Sequence, residues 1–289
     1  MEVAIISGKG GTGKSSVAAS LASIEKSVLL ADCDVDAANQ YLLFQPEHTE
    51  EHIFISGQKA VIDYSACTRC DKCMDHCGFE SISKVEGKVI ISEITCDGCR
   101  LCMRICPAHA ISMKDNNKSR LYCGTFRHGH MVYGRLAPGE ENSGRLVSLV
   151  RGKAKQVATE NNCDMILYDG PPGIGCPVIS TITGIDKVVI VTEPTLSGKH
   201  DLERALDTVF HFRIFAMVVI NKYDLNQEIT NEIKQYCRLN NVPVVALLPF
   251  DPIVTEAMVN GQSYVEYAPQ AEISLLTGNI WKFIQNAKP

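Results

Sequence analysis

The segment Gly8-Lys9-Gly10-Gly11-Thr12-Gly13-Lys14-Ser15 decides the fold. The apolar residues 3–6 precede it and predict a buried strand, and residues 17–22 follow it and predict a helix. A strand, a glycine-rich loop ending in Lys-Ser, and a helix are the context that a phosphate-binding P-loop requires. The alternative is a flexible glycine connection without a ligand, and the spacing and both flanks disfavour it.

The residue types explain how this loop binds phosphate. Its glycines let backbone N–H groups turn towards phosphate oxygens, and the helix that follows directs its positive end at the same anion. We expect Lys14 to reach the β- and γ-phosphates and the hydroxyl of Ser15 to bind Mg²⁺. The expected nucleotide-binding residues of the loop are Gly8, Lys9, Gly10, Gly11, Thr12, Gly13, Lys14, Ser15 and Ser16.

Composition limits the class of protein. The 289 residues carry a net charge of −5 with both signs interspersed, so no nucleic-acid footprint is present. The sequence has no leader pattern and no apolar run of the roughly 18 residues that cross a bilayer, so we expect a cytoplasmic protein that does not bind membranes. Thirteen cysteines in a reducing compartment indicate metal binding rather than disulfides.

Acidic residues follow the strand predicted over residues 27–31. Carboxylates at the C-terminal end of a strand beside a P-loop lie where open α/β sheets bind ligands. We expect Asp34 to orient the attacking water or to hold a Mg²⁺-bound water, with Asp36 as the weaker candidate. The alternative is that these acids only begin a helix, where Asp is favoured.

A second acid ends the strand predicted over residues 164–168. Asp169 begins an Asp-Gly-Pro-Pro-Gly turn, and an acid that follows a hydrophobic strand is the Walker B arrangement, which holds a Mg²⁺-bound water. The turn is stiff at its prolines and free at its glycines, as a segment that responds to the γ-phosphate requires. A plain turn is the alternative.

Three further strand and helix units predict an α/β fold with a doubly wound, mostly parallel sheet. Their strands are predicted over residues 187–192, 214–220 and 242–248. The loops after the last two strands lie on the nucleotide side of such a sheet, so we place the base there. The candidate base-binding residues are Asn221, Lys222, Pro249 and Asp251.

Two cysteine runs of identical spacing interrupt this pattern, 29 residues apart. Three closely spaced thiolates hold three irons of a [4Fe–4S] cluster, and the fourth cysteine of each run ligates the other cluster. Structural zinc is the alternative, but a duplicated triple run has little use for a four-coordinate ion. We therefore expect one cluster on Cys67, Cys70, Cys73 and Cys106, and a second on Cys96, Cys99, Cys102 and Cys77.

These runs define the domain organisation. Residues 63–115 resemble bacterial two-cluster ferredoxins, small α+β modules, although Gly78 stands where a proline usually follows the fourth cysteine. We expect this module to be inserted into a P-loop domain of residues 1–62 and 116–289. Before it, residues 52–62 predict a hairpin turning at Gly57. After it, residues 121–144 predict partly irregular structure, in which His128 and His130 are solvated more readily than metal-bound.

The P-loop residues resemble a family. Lys9, before the double glycine, resembles the deviant Walker A lysine of the MinD/ParA ATPases, the class that includes nitrogenase iron protein. Asp32-x-Asp34 resembles the switch I of that family, and the turn at Asp169 resembles its switch II. The resemblance covers residues 1–62 and 116–289. It implies ATP as the nucleotide, although Asn221-Lys222-Tyr223-Asp224 superficially matches a guanine-reading loop.

The resemblance also implies an ATP-dependent dimer, with an identical or a paralogous ATPase subunit. Lys9 of one subunit then reaches the phosphates of the other, as an arginine finger does. Cys176, seven residues after Asp169, resembles in its spacing a cysteine that bridges a [4Fe–4S] cluster across the nitrogenase iron-protein dimer. A third, bridging cluster with Cys123 as a further ligand is thus one reading, and an ordinary thiol at a helix start is the other.

These features converge on one functional hypothesis. We expect an ATPase that couples nucleotide binding and hydrolysis to electron transfer, or to delivery of an iron–sulfur cluster, with a redox or metallocluster-carrying protein as partner. The first alternative is a nucleotide-switched positioning or scaffold protein whose clusters sense redox state. The second is a ligase that activates a carboxylate. The expected catalytic residues are Lys9, Lys14, Asp34 and Asp169.

Overall fold

The computed structural model describes residues 1–287 and divides the chain into two compact units. The first unit contains residues 1–51, 121–134 and the chain from residue 143 onwards, and the second contains residues 52–120 and 135–142. The cysteine runs lie in the second unit. The sequence places the cysteine-rich insertion at residues 63–115, which is a narrower range.

The elements alternate as an α/β fold requires. The strands are β1 (Glu2–Ser7), β2 (Val28–Asp32), β3 (Glu47–Phe54), β4 (Gln58–Ile62), β5 (Ile82–Val85), β6 (Lys88–Ile91), β7 (Ile111–Asp115), β8 (Ser119–Phe126), β9 (Gly129–Arg135), β10 (Met165–Pro172), β11 (Lys187–Thr192), β12 (Phe215–Asn221) and β13 (Val244–Leu248). The helices are α1 (Lys14–Ala22), α2 (Gln40–Phe44), α3 (Lys72–Asp75), α4 (Leu101–Ile105), α5 (Ser143–Glu160), α6 (Cys176–Ile182), α7 (Leu196–His211), α8 (Gln227–Leu239), α9 (Ile253–Val259), α10 (Tyr264–Tyr267) and α11 (Glu272–Asn286), with a 3₁₀ turn at Tyr223–Leu225.

A nine-stranded sheet has the order β13-β12-β11-β1-β10-β2-β9-β8-β3. The strands from β13 to β9 in this order are mutually parallel, which confirms the predicted mostly parallel α/β P-loop sheet. Strand β10 pairs with both β1 and β2, so Asp169 lies opposite Ile5 on one side and Asp32 on the other. Parallel pairing therefore brings the two acids and the P-loop to one edge of the sheet.

The strands at the centre of the sheet are almost entirely apolar because helices cover both of their faces. Helix α1 packs closely because its buried residues include Ala18, Ala19 and Ala22. Helix α11 contributes Trp281 and Ile284 to the same core. The indole Nε1 of Trp281 donates to the Glu25 carboxylate at 3.0 Å, so its polar atom is satisfied.

The hairpin predicted over residues 52–62 does not form. Residues 52–54 end β3, which neighbours β8 in the large sheet, whereas β4 pairs with β7 in antiparallel register. Ile62 lies opposite Ile111 in that pairing. The prediction was wrong because the true partner of β4 is about 50 residues away in sequence, where a local turn signal carries no information.

The segment 121–144 was predicted to be partly irregular. Residues 136–142 do lie outside helices and strands, but residues 121–135 form most of β8 and β9. Met131, Val132 and Tyr133 of β9 are fully buried, and β9 runs parallel to β2. The turn between the strands ends at Gly129, which has a φ of +150°, and an added Cβ would lie 2.6 Å from the Val28 carbonyl oxygen. The glycines and histidines that favoured an irregular segment therefore mark a tight turn and its surroundings.

The second unit repeats one strand–helix–strand arrangement, first as β4, α3 and β5 and then as β6, α4 and β7. The repeat extends to backbone conformations that are rare for L residues. Asp71 and Arg100, 29 residues apart, both have positive φ immediately before a helix. Glu80 and His109, at the same spacing, both have positive φ two residues before a strand. The 29-residue repeat in sequence is thus a repeat in backbone geometry.

No helix within residues 1–287 combines the length and the apolar character that are needed to cross a membrane.

Candidate functional site

The P-loop joins β1 to α1 and wraps around the position where a phosphate binds. Gly13, the N-cap of α1, has a φ of +89°, and an added Cβ would lie 2.3 Å from the side-chain nitrogen of Asn221. Gly11 has a φ of +83°. Only glycine satisfies both the conformation and the close approach at Gly13. The loop therefore presents backbone N–H groups at the start of a helix, as anion binding requires.

Lys14 is buried and holds the acid of β10. Its Nζ donates to Asp169 Oδ1 at 2.6 Å and lies 4.0 Å from Asp34 Oδ2. Burial lowers the pKa of Lys14, but the charge and hydrogen bond of Asp169, with smaller contributions from Asp34 and Asp32, outweigh it, so the pKa is raised. The lysine therefore stays charged and available to a phosphate.

Asp32 organises the loop that carries Asp34. It is fully buried, and its carboxylate accepts the backbone N–H groups of Asp34 at 3.0 Å, Asn39 at 3.1 Å and Gln40 at 3.2 Å. Burial, and then the charge of Asp169, raise the pKa of Asp32 to about 7. Asp32 was absent from the predicted catalytic set, although its place as the last residue of β2 was a usable signal.

Asp34 and Asp36 differ in their surroundings. Asp34 is partly buried beside Lys14, and burial and the charge of Asp169 raise its pKa against the opposing charge of Lys14. Asp36 is exposed, and its pKa is raised by partial burial of the carboxylate. The structure thus brings Asp34 together with Lys14 and Asp169, whereas the exposed Asp36 acts on this group through its charge, which adds to the rise in the pKa of Asp34.

Lys9 is held within its own chain. Its Nζ lies 2.8 Å from Glu193 Oε1 and donates to the hydroxyls of Thr195 at 3.1 Å and Ser197 at 3.0 Å. Glu193 also binds Lys222, at 3.1 Å. Burial raises the pKa of Glu193, but hydrogen bonds from the two lysines outweigh this and lower it. Glu193 follows directly after β11, so its position beside the P-loop could have been predicted from the sequence, but its ion pair with Lys9 could not.

A cavity adjoins the P-loop at the place where the nucleotide base is predicted to bind. It contains about 720 Å³ of empty space, part of it open to solvent. All four predicted base-binding residues line it, together with the apolar groups of Val17, Leu248, Val254 and Ile273. A cavity of mixed apolar and polar lining next to a phosphate loop is what a nucleoside requires.

The Asn-Lys-x-Asp segment serves the protein's own loops. Asn221 Nδ2 donates to the Thr12 carbonyl at 2.8 Å, and Lys222 Nζ donates to the Gly11 carbonyl at 3.2 Å. Asp224 Oδ1 accepts the backbone N–H of Phe250 at 2.7 Å, and Asp224 does not line the cavity. The carboxylate that a guanine-reading loop would present to the base is thus used to fix the loop after β13.

In the second unit, each predicted cysteine set surrounds a small cavity of its own. Each cavity contains about 350–360 Å³ of empty space, including some open solvent. Within residues 1–287, no three His, Cys, Asp or Glu side chains converge as the ligands of one metal ion do. Thiols placed around a space suit a multi-atom cluster better than a single zinc. One cavity is lined by Cys67, Cys70, Cys73 and Cys106, and the other by Cys77, Cys96, Cys99 and Cys102.

The thiols of each set influence one another. Burial raises the pKa of Cys73, and the charges of Cys106 and Cys67 add to this rise. Burial likewise raises the pKa of Cys102, with additions from Cys96, Cys99 and also from Cys73 of the other set. The fourth cysteine of the second run therefore lies with the first run, and the two sets are close to each other.

Two further cysteines have contrasting environments. Cys176 is exposed at the first residue of α6. Cys123 is buried within β8, where burial raises its pKa to about 11. A ligand shared between two protomers has to be reachable from the surface, so Cys123 does not suit that role in this conformation, whereas Cys176 is accessible.

The comparison with protein families shows the family to which the chain belongs. The sequence profile described as the CobQ/CobB/MinD/ParA nucleotide binding domain matches residues 3–264. The chain belongs to this family. Membership in the CobQ/CobB/MinD/ParA family makes it a nucleotide-binding protein of MinD/ParA type, and MinD itself is a cell division ATPase in Pyrococcus furiosus.

Proteins similar to this chain occur in Methanocaldococcus jannaschii. The uncharacterized protein MJ0578 is 37% identical over 229 residues, covering 78% of this chain and 79% of the relative. The uncharacterized protein MJ0579 is 28% identical over 275 residues, 92% of each chain. Shorter matches join the chain to hydrogenase-4 component A of Escherichia coli, at 28% over 125 residues, and to indolepyruvate oxidoreductase subunit IorA of Methanothermobacter marburgensis, at 33% over 57 residues. These cover 41% and 20% of this chain, and 60% and 9% of the two relatives.

Solved structures agree on the fold of the family. MinD of Pyrococcus furiosus and the Mg-ADP complex of septum site-determining protein MinD from Pyrococcus horikoshii each give a TM-score of 0.58 at 18% identity. Each match covers 99% of this chain, and 98% and 96% of the two structures. At this identity the likeness establishes the P-loop fold of the MinD/ParA family.

Proposed function

We propose that this chain is an ATP-hydrolysing iron–sulfur protein in which nucleotide-dependent dimerisation is coupled to electron transfer or to delivery of a metallocluster. One observation carries the proposal: a single chain contains a P-loop site of the MinD/ParA family and two cavities that are each lined by four cysteines. A cytoplasmic location follows in the proposal, because reducing conditions keep those thiols available.

Four residues perform the ATP chemistry in this proposal. Lys14, now paired with Asp169 at 2.6 Å, exchanges that carboxylate for the phosphates. The Ser15 hydroxyl and the Asp169 carboxylate would hold Mg²⁺, which when bound would neutralise charge on the phosphates. Asp34, partly buried near the start of the loop that Asp32 anchors, orients the attacking water.

The base is adenine in this proposal. The reason is the bond from the Phe250 N–H to Asp224, because it uses the carboxylate that guanine recognition would need. Family membership supports the same choice, since MinD is an ATPase.

The residues of the second unit suit two [4Fe–4S] clusters. Each cavity offers four thiols and is otherwise lined largely by apolar groups, such as Ile82 and Ile91 in one and Val89 and Ile111 in the other. Four thiolates are the usual donor set of such clusters. The 29-residue repeat of backbone conformation and the matches to two redox proteins support the same reading. When bound, the clusters would supply one-electron chemistry at low potential.

Dimerisation enters the proposal through Lys9. In one protomer this lysine is bound by Glu193, and on dimerisation it would leave for the phosphates of the partner. The partner is a second copy or a paralogue, and the two distinct relatives in Methanocaldococcus jannaschii make pairing of paralogues a concrete option. A redox or metallocluster-carrying protein completes the assembly.

Cys176 allows an extension of the proposal. It is exposed at the start of α6, three residues after the Asp-Gly-Pro-Pro-Gly turn ends, so it can face a second protomer. If it binds a shared cluster, the wild type contains about ten irons per chain and Cys176→Ser about eight. Equal iron in both proteins would remove the bridging cluster and leave the two cysteine-lined sites.

The test of the coupling is kinetic. The anaerobic protein is reduced with dithionite, and its reoxidation by a redox dye is followed with Mg-ATP, with Mg-ADP and without nucleotide. We expect the rate to depend on the nucleotide in the wild type and not in Lys14→Ala. The coupling would be overturned if the reoxidation rate were the same with and without nucleotide and the ATPase rate were the same for the reduced and the oxidised protein. That result would favour a nucleotide-switched positioning protein, the alternative that the similarity to MinD supports.

A further inference from the structure

Gln40 connects three segments of the nucleotide site through one side chain. It is the first residue of α2 and is 2% exposed. Its Nε2 donates to Asp169 Oδ2 at 2.7 Å and to the Ser15 carbonyl at 2.9 Å. Its backbone N–H donates to Asp32 Oδ2 at 3.2 Å. Both hydrogens of the amide are thus used, one on the strand that carries Asp169 and one on helix α1.

The two oxygens of Asp169 have partners of different kinds. Oδ1 accepts from Lys14, a charged group, and Oδ2 accepts from Gln40, a neutral one. A phosphate in the P-loop attracts Lys14, so the first partner is exchangeable. The second partner, the amide of Gln40, carries no charge and is therefore not attracted by a phosphate. It is also held at its backbone by Asp32 and at its amide by Ser15. Gln40 is therefore the permanent partner of Asp169.

The chemistry explains why an amide suits this place. A buried carboxylate that loses its only donor carries a large desolvation cost. A lysine or arginine at this position would satisfy Asp169, but its charge would compete with Mg²⁺ for the same carboxylate. An amide satisfies one oxygen and leaves the negative charge of the carboxylate uncompensated. The charge is then available to a cation when Lys14 leaves.

We propose that Gln40 is a positioning residue for ATP hydrolysis, which holds the Asp169 carboxylate in the orientation that Mg²⁺ uses while Lys14 moves to the phosphates. The inference rests on the proposed ATP hydrolysis at this site. It predicts a specific division of labour. Loss of the Gln40 amide weakens the site for Mg²⁺ and slows turnover, and it leaves the contacts of the nucleotide alone.

The test compares Gln40→Met, which keeps the length and removes both donors, with Gln40→Glu, which adds a third carboxyl beside Asp169 and Asp32. A matched control is Gln235→Met, on the exposed face of α8. The readouts are kcat, KM for ATP, the half-saturating Mg²⁺ concentration, and the affinity for a fluorescent ADP analogue in Mg²⁺ and in EDTA. Thermal melting shows whether each variant is folded.

For Gln40→Met we expect kcat to fall about tenfold, the Mg²⁺ requirement to rise about tenfold, and KM at saturating Mg²⁺ to change less than about threefold. Affinity for the ADP analogue should fall in Mg²⁺ and stay unchanged in EDTA. Gln40→Glu should show the same pattern, and Gln235→Met should behave as the wild type.

An equal loss of affinity in Mg²⁺ and in EDTA would mean a merely structural role and would overturn the inference. Wild-type kcat and Mg²⁺ dependence in Gln40→Met would do the same. If the wild type itself hydrolyses no ATP, the proposed function fails, but the affinities in Mg²⁺ and in EDTA still test the role of Gln40 independently. Should Gln40→Met not fold, the Gln40→Glu comparison decides.

Discussion

The Nζ of Lys9 lies 2.8 Å from Oε1 of Glu193 in the same chain. Both side chains are partly buried, and Glu193 holds Lys222 with its other oxygen. In the proposed dimer Lys9 acts on the phosphates of the partner, so Glu193 would compete with the nucleotide for Lys9. One carboxylate thus pairs both with Lys9 of the P-loop and with Lys222, which lies beside the loop.

Removing that competitor should favour the nucleotide. Glu193→Gln is expected to lower the concentration of Mg-ATP that half-saturates dimerisation by about two- to fivefold, as loss of an opposing ion pair worth up to ~1 kcal/mol gives. Analytical ultracentrifugation across a titration of Mg-ATP measures it. The control is Glu232→Gln, which removes the exposed pair with Lys199 at 2.7 Å. Weaker dimerisation in Glu193→Gln than in the control would contradict this account of Lys9.

The base preference should not depend on Asp224. Its carboxylate holds the Phe250 N–H, so Asp224→Asn is expected to retain preference for ATP over GTP, with at most about a tenfold loss of affinity through the loosened loop. Competition of ATP and GTP against a fluorescent nucleotide checks this. A wild type that prefers GTP, with the preference abolished by Asp224→Asn, would show that Asp224 reads guanine after all.

The acid Glu266 should stabilise the first unit in a pH-dependent way. It accepts hydrogen bonds from Arg127, at 2.9 Å to one guanidinium nitrogen, and from His128. Burial raises the pKa of Glu266, but these bonds outweigh it and hold the pKa at about 2, below the ordinary value of 4.5. Its folded pKa is depressed, so its contribution to stability is present above pH 4.5 and is lost as the pH falls through about 2.

Glu266→Gln is therefore expected to cost about 1–3 kcal/mol of unfolding free energy at pH 7 and progressively less below pH 4.5. Urea unfolding of the two proteins at pH 7, 4 and 3 measures the difference. A cost that is constant across this range would mean that Glu266 acts by packing and by its capping-box bond to Ser263 rather than by its charge.

The cysteine sets predict a pattern of double variants. Cys73 and Cys106 line the same cavity, so Cys73→Ser, Cys106→Ser and the double variant should each lose the same four irons per chain. Cys73→Ser with Cys102→Ser affects both cavities and should remove about eight. Electron paramagnetic resonance of the reduced proteins separates the two clusters. If Cys106→Ser instead matched Cys102→Ser, the crossed assignment of the fourth cysteines would be wrong.

Local patterns were sufficient to predict the P-loop sheet. The P-loop motif consists of contiguous residues, so it can be recognised directly in the sequence. Buried strands such as β11 are continuous apolar segments, so their positions could also be predicted. The prediction of a hairpin at Gly57 was wrong because β4 pairs with β7 in the duplicated fold of the second unit. The strands β8 and β9 were missed because their polar turn hid short buried segments.

The candidate site divides in the same way. Lys14 and Asp169 follow from motifs, because each has a fixed place beside its strand. Gln40 has no such signal: its partner Asp169 is 129 residues away, and glutamine at a helix start is ordinary. Glu193 pairs with Lys9 across 184 residues by the adjacency of β1 and β11. Contacts that depend on strand order are invisible until the topology is known.

The most direct test of the central claim is the metal content of the anaerobically purified chain. Iron, acid-labile sulfide and zinc are measured per chain, together with the ATPase rate of the same preparation. We expect about eight irons and eight sulfides per chain, or about ten of each if Cys176 holds a shared cluster, in a protein that hydrolyses Mg-ATP. Stoichiometric zinc with little iron would contradict it, because the cysteine-lined cavities would then be structural sites in an ATPase without redox chemistry.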